Sequence, residues 1–255
     1  MYLEEGYGAA KIANKLNVQG LKTKRNYHIN IEKREYCESE RKLVMIEKIE
    51  RIKCGNGNCY IVANGENAIL IDTSLEKYRE KILSACKPYH IRLLVLTHGH
   101  IDHAQNAAFL SEKLNIPIGI CKNDLNLLKD NLAQSLSAKS IMGKIVLSVS
   151  QKATFKEKFP AFHPTVFLSE GDTLDSYGIA AKIISVPGHT NGSIAIEVGE
   201  SLIVGDALMN MFYPTISMLY HDELEMIKSA ERISQLGDKT IYFGHGKPVR
   251  NRKWK

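Results

Sequence analysis

Short apolar runs separated by turn residues dominate the chain from residue 44 onward. Residues 44–50 alternate apolar and polar side chains, which is typical of a strand with one buried face. The runs CYIVA at 59–63 and AILID at 68–72 flank the turn residues N-G-E-N and predict a β-hairpin. Residues 76–87 have a helical pattern, and IRLLVLT at 91–97 predicts a fully buried strand.

The rest of the chain continues this succession of strands and helices. A helix is predicted from residue 103 to about 114, and the strand IPIGI follows it. Later strands are predicted at 165–169, 172–174, 180–187, 193–198, 201–205 and 240–244. The residues DELE at 222–225 match a capping box, which predicts a helix running to Leu236 with Gly237 as its C-cap. Two groups of strands, each with helices, predict an α/β fold with two sheets packed face to face.

Residues 121–164 have a helical but irregular pattern. Four leucines recur there at helical spacing: Leu125, Leu128, Leu132 and Leu136. Their simplest interpretation is packing against the core or in a lid. A second apolar set, Met209, Met211, Phe212, Tyr213, Met218 and Tyr220, fits equally well a substrate pocket or a loop packed on the core.

The candidate chemistry is concentrated in the stretch LLVLTHGHIDHAQNAAFL. His98, His100, Asp102 and His103 fall within six residues, directly after a predicted buried strand and before a helix. An extended backbone points His98 and His100 to the same side, and a helix start favours the carboxylate of Asp102. Because the sheet holds the loop in place while these side chains converge, the spacing predicts a metal site.

Three further donors follow other predicted strands. His189 lies in VPGHTNGS, Asp206 in VGDAL and His245 in FGHGKP, each beside a glycine that lets the backbone approach closely. The other histidines (His28, His90, His163 and His221) are isolated, and we interpret them as structural.

This donor set resembles that of the metallo-β-lactamase superfamily, whose signature HxHxDH stands at 98–103. Asp72 in ILIDTS matches the upstream Asp motif of the superfamily, and the resemblance extends over residues 44–248. The resemblance implies a four-layer αββα sandwich and a binuclear metal centre. His98, His100 and His189 would bind the first ion, Asp102, His103 and His245 the second, and Asp206 would bridge the two.

The resemblance also implies the chemistry and the metal. Two divalent ions lower the pKa of a shared water towards ~7 and supply a hydroxide nucleophile, while Asp102 orients that hydroxide or relays a proton. Imidazole and carboxylate donors without cysteine favour zinc, with iron or manganese as alternatives. Asp72 would act from outside the ligand set by orienting a ligand such as a histidine or by helping to hold the loop. The alternative for this strand-end aspartate is a role in the turn alone.

Among the branches of the superfamily, the ligands match glyoxalase II best. Glyoxalase II carries a helical C-terminal extension that binds glutathione, whereas this chain has ten residues after His245. A glutathione thioester is therefore not the expected substrate, and we expect hydrolysis of a small ester, thioester or lactone. Hydrolytic β-lactamases have a cysteine or serine at the position of Asp206 or a different ligand run, so hydrolysis of β-lactam antibiotics is not expected. The alternatives are a phosphodiesterase, nuclease or nucleic-acid-associated protein, and a single-iron persulfide dioxygenase.

Charge and hydropathy suggest a cytoplasmic protein with a small-molecule substrate. Residues 1–53 carry a surplus of four positive charges and the last ten residues a surplus of five, which leaves −3 for residues 54–245 out of a net +6. A slightly acidic body is a poor match for a polyanion, so a nucleic-acid partner is not expected. No apolar run approaches the roughly 18–20 residues of a membrane span, and the charged N-terminus differs from a signal peptide. Oligomeric state is left open.

The N-terminal region has a separate character. Residues 3–25 resemble a fragment of the recombinase domain of large serine recombinases, and an amphipathic helix is predicted there. We expect a helical appendage without a catalytic role over residues 1–40 and the hydrolase domain over residues 41–255. Of the five cysteines, Cys54 and Cys59 bracket a predicted turn, and we interpret them as buried strand thiols rather than a disulfide or a soft-metal site.

Overall fold

The computed structural model describes residues 47–154 and 160–255. The chain divides into two units, Met1–Met45 and Ile46–Lys255, and all of the described residues belong to the second. The predicted appendage, Cys37 and His28 lie outside the described residues. Within the described ranges, none of the helices combines the length and the apolar character that crossing a membrane requires.

The first sheet has six strands in their order along the chain. They are β1 (Lys48–Cys54), β2 (Gly57–Asn64), β3 (Asn67–Ile71), β4 (His90–Val95), β5 (Ile118–Ile120) and β6 (Val166–Phe167). Strands β1 to β3 form an antiparallel meander, and β3 to β6 are parallel. Cys54 and Cys59 lie in the β1–β2 hairpin as buried free thiols, as predicted.

The second sheet has five strands, and their spatial order differs from their order along the chain. From one edge to the other they are β13 (Val249–Arg250), β12 (Thr240–Tyr242), β9 (Ser201–Ile203), β8 (Ile194–Val198) and β7 (Ala181–Ser185). A separate pair, β10 (Leu208–Met209) and β11 (Thr215–Ile216), forms a short antiparallel ribbon. Strands β7, β9 and β12 run in the same direction, so their carboxyl ends lie at one edge.

Five α-helices accompany these sheets in the described ranges. They are α1 (Arg79–Cys86), α2 (Ile101–Ala104), α3 (Ala107–Leu114), α4 (Ile141–Thr154) and α5 (Glu223–Gln235). Short 3-10 helices occur at Glu76–Tyr78, Lys122–Asp124 and Asp175–Tyr177.

Three apolar clusters separate four layers. Alternate strand residues face opposite sides of a sheet, and in β3 Ile69 and Ile71 join the cluster between the sheets, while Leu70 faces α1 and α3. On the far side of the second sheet, Leu202 packs with Ile233 of α5. The order helices, sheet, sheet, helix is the predicted αββα sandwich, which is confirmed.

Two predictions of local structure are wrong. The helix predicted from residue 103 is two helices, since α2 begins at Ile101 and Asn106 interrupts the run by donating to the backbone carbonyls of Thr73 and Leu75 at 2.8 Å. The strand predicted at 172–174 is only a single β-bridge between Thr173 and Lys182. Of the four leucines, Leu125 and Leu128 pack in the first apolar cluster, as predicted, whereas Leu132 is exposed.

Candidate metal centre

Four loops that follow strands converge where the two sheets meet. Strand β4 leads to one of these loops, and the parallel strands β7, β9 and β12 lead to the others. The loops carry His98, His189, Asp206 and His245, each three or four residues beyond its strand. The backbone N–H of Ile194 donates to Thr97 O at 2.9 Å and joins the two sheets beside this point.

The side chains of His98, His100 and His189 form a compact group of buried imidazoles. One ring nitrogen of each lies within 4.8 Å of the others, and His100 Nδ1 is 3.0 Å from His189 Nε2. Two nitrogens bound to one tetrahedral zinc ion, with bonds of about 2.0–2.1 Å, would lie ~3.3 Å apart. The group therefore has the dimensions of a single cation site.

Asp102, His103 and His245 form a second group, and Asp206 lies between the two. His245 Nε2 is 3.3 Å from Asp102 Oδ2 and 3.3 Å from Asp206 Oδ2. His103 Nε2 is 3.5 Å from Asp206 Oδ1, and Asp206 Oδ2 is 3.8 Å from Nε2 of His189 in the first group. The structure thus brings all seven predicted donors together, with Asp206 in contact with both groups.

Four of the histidines direct Nδ1 away from the cluster toward a hydrogen-bond acceptor. The pairs are His98 with Thr97 Oγ1 at 3.1 Å, His103 with Asp72 Oδ2 at 2.8 Å, His189 with Leu219 O at 2.8 Å, and His245 with Asn56 O at 3.2 Å. Thr97 Oγ1 itself donates to Asp72 at 2.9 Å, so it accepts from His98. An imidazole that donates through Nδ1 can present the lone pair of Nε2 to a metal.

The cluster also contains buried polar atoms that have no hydrogen-bond partner among the described residues. These atoms are Nε2 of His98, His100 and His103, and Oδ1 of Asp206. An unsatisfied buried polar atom costs about 1–3 kcal/mol, and a bound cation removes that cost by accepting the lone pairs. The orientation of the imidazoles and the unsatisfied buried atoms together show that these side chains fit a metal ion.

The imidazoles of the cluster differ in charge. Burial and the neighbouring imidazoles lower the pKa of His98 well below its usual range and that of His100 to about 3. Burial also lowers the pKa of His103 and His245, but the carboxylates, Asp206 foremost, outweigh it. They raise the pKa of His103 well above its usual range and that of His245 to about 10.

The carboxylates of Asp102 and Asp206 are ionised. Burial raises the pKa of Asp206 and of Asp102, but the charges of His245 and His103 outweigh burial and hold both values below their usual range. Carboxylates that stay ionised and imidazoles that can lose a proton are suitable ligands for a divalent cation.

Residues 52–245 match the Metallo-beta-lactamase superfamily, and this region includes the whole cluster. The chain belongs to this superfamily. A protein of Aquifex aeolicus (strain VF5) of uncharacterised activity is 30% identical over 194 residues, which cover 74% of this chain and 83% of that protein. Hydroxyacylglutathione hydrolase 1 of Vibrio vulnificus (strain YJ016) is 27% identical over 203 residues, covering 76% of this chain and 64% of that protein.

A solved structure has the same fold as this chain. TTHA1623, crystallised in a di-iron-bound form, matches with a TM-score of 0.58 and 22% identity, covering 80% of this chain and 94% of that one. The family match over residues 52–245 confirms the superfamily resemblance inferred from HxHxDH. The comparisons provide no support for the recombinase resemblance of the N-terminal residues, which stays a prediction.

Asp72, which is not one of the seven donors, contacts both the loop after β4 and a candidate ligand of the metal. Its Oδ1 accepts from the backbone N–H of Thr97 at 2.8 Å, and its Oδ2 lies 2.8 Å from His103 Nδ1. The Asp72 carboxylate therefore holds the loop after β4 with one oxygen and orients the candidate ligand His103 with the other.

Two glycines allow the loops of the candidate metal centre to approach each other. Gly205, beside Asp206, has a positive φ of 53°, and a Cβ there would lie 2.6 Å from Thr97 Oγ1. A Cβ at Gly244, beside His245, would lie 2.7 Å from Cε1 of His103. Larger residues at either position would separate the loops that carry the donors.

The apolar residues after Asp206 divide into two kinds. Met209 and Met218 are buried, so for them loop packing is the correct interpretation, whereas Phe212 and Tyr213 are 60% and 57% exposed. Their ribbon adjoins the site, because Asn210 N donates to His245 O at 2.8 Å.

Sequence reasoning missed Asp124. This residue lies in the segment interpreted as core or lid packing, yet its side chain is fully buried and bonded to the loops of His98 and His189. The available signal was an aspartate four residues beyond the buried strand β5, a position similar to that of the donors, since Asp is seldom fully buried without partners.

Proposed function

We propose that this chain is a hydrolase that uses two divalent metal ions to cleave a small ester, thioester or lactone. The observation that carries the proposal is the orientation of the imidazoles. Four rings donate through Nδ1 to acceptors outside the cluster, which leaves their Nε2 atoms facing Asp206 and its neighbours. Such preorganisation is what a catalytic metal site requires.

His98, His100 and His189 would hold one ion, Asp102, His103 and His245 the other, and Asp206 would contact both. The di-iron-bound form of TTHA1623 supports a capacity of two ions for a site of this fold. We propose zinc as the metal, because the donors are imidazoles and carboxylates and no thiol belongs to either group. When bound, the ions supply Lewis acidity that activates water and polarises the substrate carbonyl.

Asp102 is the group that would handle protons. It is the most exposed of the carboxylates in the cluster, with its side chain 40% accessible, while that of Asp206 is 8% accessible. Its Oδ2 lies 3.3 Å from His245 Nε2. A partly exposed carboxylate in this position can orient the attacking water and pass a proton to solvent.

An acyl substrate is proposed from the similarity to hydroxyacylglutathione hydrolase 1, whose name describes a thioester hydrolase. The match spans 64% of that protein, so the proposal extends to the class of bond and not to glutathione. The slightly acidic net charge of residues 54–245 also favours a small substrate over a polyanion.

The test combines metal analysis with an activity panel on the metal-loaded protein. Elemental analysis should find two ions per chain, and the panel of thioesters, lactones, a phosphodiester, a cephalosporin and a persulfide should show turnover of an acyl substrate with negligible cleavage of the cephalosporin. Asp206→Ala should leave one ion or fewer and abolish turnover, because it removes the contact shared by both groups.

Asp238→Ala is the matched control, since it removes an exposed carboxylate whose ion-pair partner among the described residues is the surface residue Arg250. This variant should keep both ions. Two tightly bound ions in Asp206→Ala would contradict the assignment of Asp206. Turnover of the phosphodiester or of the persulfide alone would replace the proposal by the corresponding alternative.

A further inference from the structure

The buried carboxylate of Asp124 accepts four hydrogen bonds, two at each oxygen. Oδ2 accepts from the backbone N–H of Gly99 at 2.9 Å and from Thr190 Oγ1 at 2.8 Å. Oδ1 accepts from the backbone N–H of Gly192 at 2.7 Å and from Gln134 Nε2 at 3.2 Å. All four hydrogen-bond donors find their acceptor in the Asp124 side chain, and Asp124 has no accessible surface.

These bonds join the two loops that carry the first group of histidines. Gly99 lies between His98 and His100, and Thr190 directly follows His189. The loops are about ninety residues apart in sequence, yet Asp124 Oδ2 contacts both of them. A shift of this carboxylate would therefore change the separation of His100 and His189, whose ring nitrogens are 3.0 Å apart.

Two amide side chains of the same segment complete the connection. Asn131 accepts from Ile101 N at 3.0 Å and donates to Gly99 O at 2.9 Å, so it holds the backbone on both sides of His100. Gln134 accepts from Asn191 N at 2.7 Å while it donates to Asp124. The segment 122–134 thus holds both histidine loops through polar side chains.

A carboxylate suits this position better than any neutral acceptor. Asp is an acceptor only and has two oxygens, whereas Asn has one oxygen and an amide that donates. In an Asp124→Asn variant, two of the four donors would face an NH2 group. The close packing of Gly192, where a Cβ would lie 2.7 Å from the Asp124 carboxyl carbon, leaves little room for rearrangement.

We infer that Asp124 is a positioning residue that sets the geometry of the His98, His100 and His189 group and thereby its affinity for a metal ion. The inference rests on the proposed metal-binding function. It extends the site beyond the predicted metal ligands to Asp124, which in the described hydrogen bonds contacts none of the three histidine side chains. Asp124 instead bonds to the residue next to each of them, through the backbone N–H of Gly99 and the hydroxyl of Thr190.

The experiment measures Zn²⁺ affinity by competition with a chelator in two backgrounds of the full-length chain. His245→Ala removes a member of the second group and leaves the first intact, and His189→Ala does the reverse. Asp124→Asn should weaken Zn²⁺ binding about 10- to 100-fold in the His245→Ala background, as loss of a residue that supports a ligand does. In the His189→Ala background the same substitution should change affinity less than about threefold.

Two further variants separate positioning from general destabilisation. Leu110→Ala creates a cavity in the buried core beneath α3 and removes no hydrogen bond to the histidine loops, so it should lower thermal stability without changing Zn²⁺ affinity. Thr190→Val removes a single donor to Asp124 and should weaken binding in the same background, by a smaller factor, if Asp124→Asn does not fold.

The outcomes are distinguishable. Absence of Zn²⁺ binding by the unmodified protein would overturn the proposed function and this inference with it. Normal binding by the unmodified protein, with equal affinity after Asp124→Asn and Thr190→Val in the His245→Ala background, would overturn the inference alone. An equal loss in both backgrounds and in Leu110→Ala would also overturn it, because the effect would then be one of stability.

Discussion

At the scale of single residues, the cluster is an arrangement of opposite charges around a small volume. Asp206 contacts an imidazole of each group, and its ionised form is stabilised by the same histidines whose pKa it raises. The protons that His103 and His245 hold compensate the negative charge of the buried carboxylates, and a bound divalent cation would take over that role.

Metal affinity should therefore depend on pH. Because the pKa of His245 is raised to about 10 in the folded protein and that of His103 is also raised, both rings are protonated at neutral pH and must lose a proton to bind a metal. Zn²⁺ affinity should rise with pH, by up to about tenfold per pH unit for each proton displaced, between about pH 6.5 and pH 8.5.

Calorimetric titrations in buffers of different ionisation enthalpy measure the protons released. The control is His90→Ala, because His90 is exposed and lies outside the cluster. This variant should change neither the Zn²⁺ affinity nor the number of protons released. Affinity that is constant across this pH range would show that both rings are already neutral.

At the scale of elements, helix α5 connects the second sheet to the loop of His189. Asp222 Oδ1 accepts from Glu225 N at 3.0 Å and caps the helix, as predicted. The reciprocal bond of a capping box is not formed, because Asp222 N already donates to Gly188 O at 2.9 Å and the Glu225 carboxylate pairs with Lys228. The start of α5 is therefore fixed by one side-chain cap and one tertiary backbone bond.

Asp222→Ala should lower the free energy of unfolding by about 1 kcal/mol, the usual cost of losing an N-cap. Urea denaturation followed by the fluorescence of Trp254 measures this, since Trp254 is the single tryptophan and is buried beside α5. Glu225→Gln keeps the cap and should change the unfolding midpoint little. An unchanged midpoint in Asp222→Ala would mean that the backbone bond alone holds the helix start.

At the scale of the whole molecule, every predicted donor lies in the second of the two units, Ile46–Lys255. The N-terminal residues contain none of them, and a helix of about two turns is marginal by itself in water. A chain that starts at Glu40 should fold, bind the same number of ions as the full chain and keep most of its activity.

The competing hypothesis is a nucleic-acid surface formed by basic residues at both ends of the chain. It involves Lys22, Lys24, Arg25, Arg250, Arg252 and Lys253. Such a surface would bind DNA or RNA with a steep dependence on salt, and binding would disappear on truncation. Comparing both chains for metal content, activity and binding at two salt concentrations decides between the two, and loss of folding on truncation would mean that the domain boundary is misplaced.

The sequence by itself determined the positions of the donors and the two groups of strands, while the four layers were implied by the superfamily resemblance. Strand periodicity and the glycines beside His189, Asp206 and His245 are local properties, so they can be recognised without knowing which strands are neighbours. For the same reason the cap of α5 was predicted and every strand of both sheets except β13 overlaps a predicted strand, whereas the two-residue strands β10, β11 and β13 were too short to produce a pattern.

Only the tertiary structure decided how the donors are used. Which nitrogen of each histidine faces the cluster depends on acceptors such as Leu219 O and Asn56 O, which lie 30 and 189 residues away. The role of Asp124 and the break between α2 and α3 likewise arise from hydrogen bonds between distant segments. Hydrogen bonds of this kind follow from the approach of loops in the folded chain, and no local pattern of residues encodes them.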